Sequence, residues 1–329
     1  MKALVYTAVE TLGYMDVPAA VAGPGQSLVR IMASGICGSD MHAFLGHDER
    51  RPAPLILGHE AAGIVVGGPG DGRRVTINPL VTCGRCDACG AGRDNLCPER
   101  LIISMPPREG AFAQYVAMRH ENLVTVPDHV PLEHAALAEP LACGWHALRL
   151  AHKALDRPMS GVRCLVIGGG AIGLGAALSA HAFGARDITV VEPNDLRRAT
   201  LDRIAGFVTA QTPTGQFDLV IDAVGYAATR ADASAFARPG GVIAHIGLGE
   251  AAGGLDIRRM TLQEITFFGT YTYTAEDFRA TAQAIFDGAF GPLDWISTRP
   301  LSEGQQAFHD IRGGKVAAPK IILIPDHEE

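Results

Sequence analysis

Over the first ~150 positions the apolar residues come in short runs cut by glycine and proline, the texture of short strands. Ser27–Met32, Ala62–Val66, Arg74–Ile77 and Ala113–Ala117 are the clearest, and together they predict an antiparallel barrel. From Arg163 onward the texture changes. Runs of Val, Ile and Leu alternate with longer Ala-rich stretches, as a parallel sheet with helical crossovers requires. Arg163–Ile167, Ile188–Val191, Leu219–Asp222, Val242–Ile246 and Thr266–Gly269 are predicted strands. Ala171–Phe183 and Ala227–Ala237 are predicted crossover helices. The chain closes on Lys320–Ile324, a strand whose flanks resemble the first texture, so the tail is expected to rejoin the first domain.

A length of 329 residues exceeds what one core usually organises, which also favours two domains. The formal net charge of −7 lacks the basic surplus that a phosphate backbone demands, so nucleic acid is not an expected partner. No apolar stretch approaches a membrane span, and Met1–Tyr6 reads as a first strand rather than a signal peptide. Seven cysteines, an odd number with four bunched together, point to metal ligation in a reducing cytoplasm rather than a disulfide framework.

Arg163–Ile167 runs directly into Gly168-Gly-Gly170-Ala171-Ile172-Gly173 and then a helix-forming stretch. This is G-x-G-x-x-G in its required context of strand, tight turn and helix, with the helix N-terminus facing a pyrophosphate. Nineteen residues beyond Gly173, Glu192 ends the next strand. Its carboxylate suits the ribose hydroxyls of NAD and repels the 2′-phosphate of NADP. Arg197 and Arg198 nearby soften that preference. The alternative is a structural turn with a helix-capping glutamate.

Cys83, Cys86, Cys89 and Cys97 follow the spacing C-x₂-C-x₂-C-x₇-C in a Gly-rich loop. Four thiolates can close a tetrahedral shell with no open position, the structural kind of zinc site. A second constellation is dispersed. Cys37-Gly-Ser39-Asp40-Met-His42 and Gly58-His59-Glu60 offer a thiolate, an imidazole and a carboxylate, each modest taken alone.

With Ala138-Glu139-Pro140 added, these motifs resemble the medium-chain dehydrogenase/reductase superfamily, specifically its zinc-dependent alcohol and polyol branch, over essentially the whole chain. The resemblance implies an α/β protein in which a doubly wound Rossmann domain is inserted in a GroES-like β-barrel catalytic domain. The expected limits are 1–146 for the catalytic domain with both zinc sites, 147–271 for the NAD domain and 272–329 for the return. It also implies two zincs per chain, one catalytic and one structural, besides NAD.

By the same resemblance Cys37 and His59 ligate the catalytic zinc, and Glu60 and Glu139 supply the rest of the shell, directly or through a water. Glu139 is preferred over Cys143 as the third protein position. Asp40 is expected to hold the other ring nitrogen of His59. Lys320 either draws Glu60 off the metal or is a solvated edge-strand lysine. Ser39 followed by His42 is the implied proton relay. Val224, Gly247, Leu248, Thr270 and Tyr271 are expected to border the nicotinamide, and Met105, Phe112 and Tyr271 either wall the pocket or pack the core.

The implied reaction is alcohol to ketone or aldehyde on a polyol or secondary alcohol, in a homodimer or homotetramer. Sorbitol-type relatives carry a tyrosine after the relay histidine and an Arg-Tyr pair late in the Rossmann domain. Here those places read Ala43 and Thr272-Tyr273: Glu139 and Tyr273 keep the polyol pattern while Ala43 and Thr272 leave it, which points to a smaller or differently substituted polyol, or a secondary alcohol. A threonine-dehydrogenase-like amino-alcohol oxidation is the nearest alternative. A zinc-free reductase is disfavoured by the ligand motifs, and a non-catalytic zinc module would leave Cys83–Cys97 as the functional feature.

Overall fold

The computed structural model describes residues 1–327. The first texture folds as a barrel-like sheet ordered Leu123–Thr125, Arg74–Ile77, Glu60–Val66, Gln26–Gly35, Lys320–Ile324 and Ile296–Pro300, with Tyr115–Arg119 also pairing to Gln26–Gly35. Lys320–Ile324 lies antiparallel to Gln26–Gly35, Ile322 facing Gly35, so the tail closes the first sheet. A smaller sheet of Thr11–Asp16, Lys2–Ala8 and Leu55–Ile56 covers one side. The last predicted barrel strand starts later than expected, at Tyr115, because Ala113 makes only an isolated bridge to Ala3.

The second texture folds as a six-stranded parallel sheet ordered Val208–Ala210, Asp187–Val191, Arg163–Ile167, Phe217–Asp222, Ala237–His245 and Thr266–Gly269. Its order reverses between Arg163–Ile167 and Phe217–Asp222, which opens a crevice at the carboxyl ends of those strands. The predicted crossovers form as Ala171–Ala182 and Ala227–Phe236.

The principal departure from the sequence reading is Ala138–Leu155, an unbroken 18-residue helix. It begins on the barrel side with Glu139 and then packs along Ala171–Ala182. The boundary expected between 146 and 147 therefore falls within a helix, and no linker separates the halves there. The largest core is continuous across this junction. It joins Ala33 and Ala62 of the barrel, Leu141 and Leu148 of the helix, and Val166 and Leu174 of the parallel-sheet half. No helix of the described residues is long and apolar enough to cross a membrane.

One polar cluster fastens this junction. Asp277, 2% exposed in the first turn of helix Ala275–Phe286, accepts from Arg149 Nε (2.6 Å), Arg149 Nη2 (2.9 Å) and Thr274 Oγ1 (2.8 Å), and lies 2.7 Å from His146 Nδ1. Burial alone would raise the Asp277 carboxyl, but His146 and Arg149 outweigh it and hold it well below the usual range. A carboxyl depressed in this way contributes stability that is complete above its unfolded value near ~3.9 and is lost as the pH falls from there. Asp277→Ala is expected to cost about 3 kcal/mol in urea unfolding at neutral pH, because it leaves His146 and Arg149 without their anion. Asp277→Asn should flatten the acid limb of stability against pH; an unchanged acid limb would assign that limb to other carboxylates.

Candidate active site and metal centres

Cys37 ends the first strand-to-helix turn, and helix Gly38–Phe44 starts behind it. Asp40, at the third helical position, reaches back so that its Oδ2 accepts the Cys37 N–H (3.0 Å). This fixes the turn that presents the Cys37 sulfur. Asp40 Oδ1 accepts from Gly58 N (3.3 Å) and Ser104 Oγ (3.4 Å), and lies 3.4 Å from His59 Nδ1. A fully buried carboxylate thus caps a helix and stands beside the imidazole, whose Nδ1 itself makes no hydrogen bond among the described residues. Gly58, at φ +91°, has the Phe112 ring where a Cβ would sit, so only glycine admits the turn that carries His59 and Glu60 inward.

The donor atoms of Cys37, His59 and Glu60 all lie within 4.8 Å of one another. Lys320, expected either to pair or to be solvated, pairs: its Nζ donates to Glu60 Oε1 (2.6 Å) and to Ile36 O (2.8 Å), with both side chains buried. Burial opposes the ammonium, but Glu60 and Cys37 outweigh it and raise the Lys320 pKa. Glu60 Oε2 is left buried with no hydrogen-bond partner among the described residues, a carboxylate oxygen with its lone pairs unused. Sulfur, nitrogen and carboxylate oxygen in one dry pocket fit a zinc ion.

Glu139, expected to supply the shell directly or through a water, stands outside this tight set. Its Oε1 instead accepts from the Tyr273 hydroxyl (2.7 Å), with both residues buried. Burial pushes the Glu139 carboxyl up to about 7, with His59, Tyr273 and Lys320 working against Glu60. Cys143 also lies outside the set, its Sγ 4.0 Å from the Glu139 carbonyl oxygen. Ser39 Oγ stands 3.5 Å from His59 Nε2. His42, one turn on, is exposed, and no hydrogen bond joins the two among the described residues. Sequence reasoning missed Arg51, which is 2% exposed and donates to the carbonyls of Ser39 (3.0 Å) and Ser104 (2.9 Å). Nothing in the charged run Asp48–Arg51 separates this arginine from exposed Arg50.

Cys83, Cys86, Cys89 and Cys97 also gather within 4.8 Å. Cys86 and Cys89 sulfurs are 3.5 Å apart, Cys83 and Cys89 4.0 Å; four sulfurs ~2.3 Å from one zinc lie about 3.8 Å apart. The backbone N–H of Arg85 lowers Cys83 to about 7, whereas burial and Cys86 raise Cys89 to about 12. Four sulfurs at this spacing fit the closed tetrahedral shell of a zinc ion.

In the crevice, the Gly173 position has the Gly168 carbonyl oxygen 1.7 Å from where a Cβ would stand, so helix and strand meet as the fingerprint requires. Gly170, Ala171, Ile172, Gly173 and Arg197 line a cavity of about 220 Å³ together with Cys37 and Lys320. A larger cavity of about 510 Å³, beside Val17, Pro54 and Tyr115, brings together no such donors. Glu192 is 3% exposed and already engaged: Oε2 accepts from Gly169 N (3.1 Å) and Arg197 Nη1 (3.2 Å), Oε1 from Asn194 N (2.9 Å). Val224 and Gly247 meet at adjacent strand ends, while Leu248 is 78% exposed. Tyr271 lies against the four-cysteine loop, with the Arg100 guanidinium 4.8 Å from its ring centre.

Residues 23–128 match the family model for the alcohol dehydrogenase GroES-like domain, and residues 171–287 that for zinc-binding dehydrogenase. The chain is 33% identical over 296 residues to sorbitol dehydrogenase of Bacillus subtilis, covering 83% of this chain and 82% of that protein. It is 34% identical over 281 residues to L-idonate 5-dehydrogenase of Vitis vinifera, covering 76% and 74%. Among solved structures, an Escherichia coli oxidoreductase/dehydrogenase of unknown specificity superposes with a TM-score of 0.91 at 25% identity, covering 99% of each chain.

Lys320→Met would leave Glu60 buried without its cation. In metal-stripped protein the expected loss is about 3–5 kcal/mol. Zinc-loaded protein should lose clearly less, since the ion takes over the neutralisation. Paired thermal melts with and without a chelator measure this, and equal losses would mean that Lys320 does not balance Glu60.

Proposed function

The chain belongs to the zinc-dependent medium-chain dehydrogenases, in their alcohol and polyol branch, and on that premise we propose that it transfers hydride between NAD and a polyol or secondary alcohol in the crevice between barrel and parallel sheet. One observation carries the reading. Cys37 of the buried donor set and the turn Gly170–Gly173 line the same cavity, so a metal-held alcohol and a dinucleotide would meet there. When bound, zinc supplies the Lewis acidity that acidifies an alcohol hydroxyl, and NAD supplies the hydride acceptor.

Cys37, His59 and Glu60 would hold the catalytic ion, and Cys83, Cys86, Cys89 and Cys97 the structural one. Asp40 fixes the ring of His59, and Lys320 offsets the charge of Glu60. The Ser39 hydroxyl beside His59 Nε2 takes the substrate proton, and exposed His42 delivers it to solvent, a water closing the step between them. Glu139, steadied by Tyr273, offers a buried polar contact to a neighbouring hydroxyl, which a polyol has and a simple alcohol lacks. The relatives, a sorbitol dehydrogenase and an L-idonate 5-dehydrogenase, support the polyol reading. Exposed Leu248, Ile257 and Leu262, with Thr266–Gly269 at the edge of the parallel sheet, support a dimer or tetramer. Seven free cysteines support a cytoplasmic setting.

Initial rates of NAD reduction on zinc-replete protein, across polyols, simple secondary alcohols and L-threonine, test the substrate class. Polyol turnover is expected to dominate; turnover of L-threonine alone would move the substrate to amino alcohols. Ser39→Ala should lower kcat about 100-fold with zinc content unchanged, and an unaltered kcat would remove Ser39 from the proton route.

A further inference from the structure

The four-cysteine loop touches the chain that leads into the active site. Asn95, 3% exposed in the turn Asp94–Leu96 between Cys89 and Cys97, donates from Nδ2 to the Tyr271 carbonyl (2.7 Å). Both carboxylate oxygens of Asp94 accept the Ala275 N–H (3.1 and 3.2 Å). Arg100 covers the Tyr271 ring and donates from Nε to its hydroxyl (3.3 Å). The segment 271–275 is therefore gripped at both ends by one loop. Between the grips Thr272 has φ +47°, a left-handed conformation that a β-branched residue adopts only when its surroundings impose it. The next residue is Tyr273, whose hydroxyl reaches Glu139.

We propose that Asn95 and Asp94 are positioning residues for the dehydrogenase reaction. They hold segment 271–275 so that the Tyr273 hydroxyl meets Glu139, and the metal-binding loop thereby sets the geometry of the catalytic pocket besides stabilising the fold. The proposal rests on the reading of Glu139 and Tyr273 as substrate-facing groups. A loop that served stability alone would need no contact with this segment; here its most buried polar side chain is spent on it.

The test is a double-mutant cycle on the zinc-loaded enzyme. Asn95→Ala should keep both zincs by elemental analysis and leave NAD affinity unchanged, while kcat falls roughly tenfold or more through misplacement of the segment. Tyr273→Phe should be impaired by itself, and Asn95→Ala combined with Tyr273→Phe should be little worse than Tyr273→Phe alone, since both remove one arrangement. Effects that multiply would overturn the proposal.

Should Asn95→Ala lose zinc or fail to fold, Ala275→Pro removes the N–H bonded by Asp94 without altering the metal loop. Ala275 is the first helical residue and Thr274 before it is extended (φ −78°, ψ 161°), so proline fits there. Its kcat is expected to fall with zinc content intact, and an unchanged kcat counts against the grip. A second readout needs no turnover. With 3-fluorotyrosine at position 273, the ¹⁹F resonance should shift or split in Asn95→Ala and in Ala275→Pro. An unmoved resonance would sink the positioning role. An enzyme silent on every alcohol, but with a ¹⁹F signal that responds, would refute the substrate reading and leave the grip standing.

Discussion

The ion pair between Lys320 and Glu60 is the interaction on which the architecture turns. Two opposite charges taken out of water cost several kcal/mol each before their attraction returns it, so a buried pair persists only where geometry and further hydrogen bonds are right. Here the ammonium is shared between Glu60 and the Ile36 carbonyl, and it arrives on the last strand of the chain. The pairing of Lys320–Ile324 with Gln26–Gly35 thus does two jobs. It completes the barrel, and it brings a positive charge to the floor of a pocket that already holds a thiol and a carboxylate. Without the returning tail the donor set would carry an uncompensated charge.

The same economy links the halves of the molecule. Asp40 is at once a helix cap and the anchor of an imidazole, and Asp277 is at once part of a capping box and the tie between two helices. These two carboxylates each have more than one donor, which is what makes their burial tolerable.

What the sequence made legible follows from how local the causes are. The parallel strands and the glycine turn were readable because a buried strand is a short apolar run, and because Gly173 answers to a carbonyl only five residues away. The four cysteines were readable because their ligands lie within one loop. Helix Ala138–Leu155 was not: Glu139 and Pro140 stand in its first turn, where they read as a motif within a broken stretch rather than as a helix start. Glu139 was assigned to the zinc shell, directly or through a water, by resemblance alone; its hydrogen-bond partner Tyr273 is 134 residues distant, and no local pattern pairs the two. Arg51 and Asn95 act on backbone carbonyls remote in the chain, and such contacts leave no periodicity to read.

Asp277 has one more implication. The chain enters the dinucleotide-binding half through Ala138–Leu155 and leaves it just before Ala275–Phe286, and His146 and Arg149 bind the exit helix to the entry helix. The two ends of the inserted half are therefore neighbours, held by a polar staple. An insert whose ends meet behaves as a cassette. Graft points in these two helices would let another parallel-sheet unit be spliced between them, with the barrel and its donor sets inherited whole, provided that the staple and the apolar seam beneath it travel with the joint.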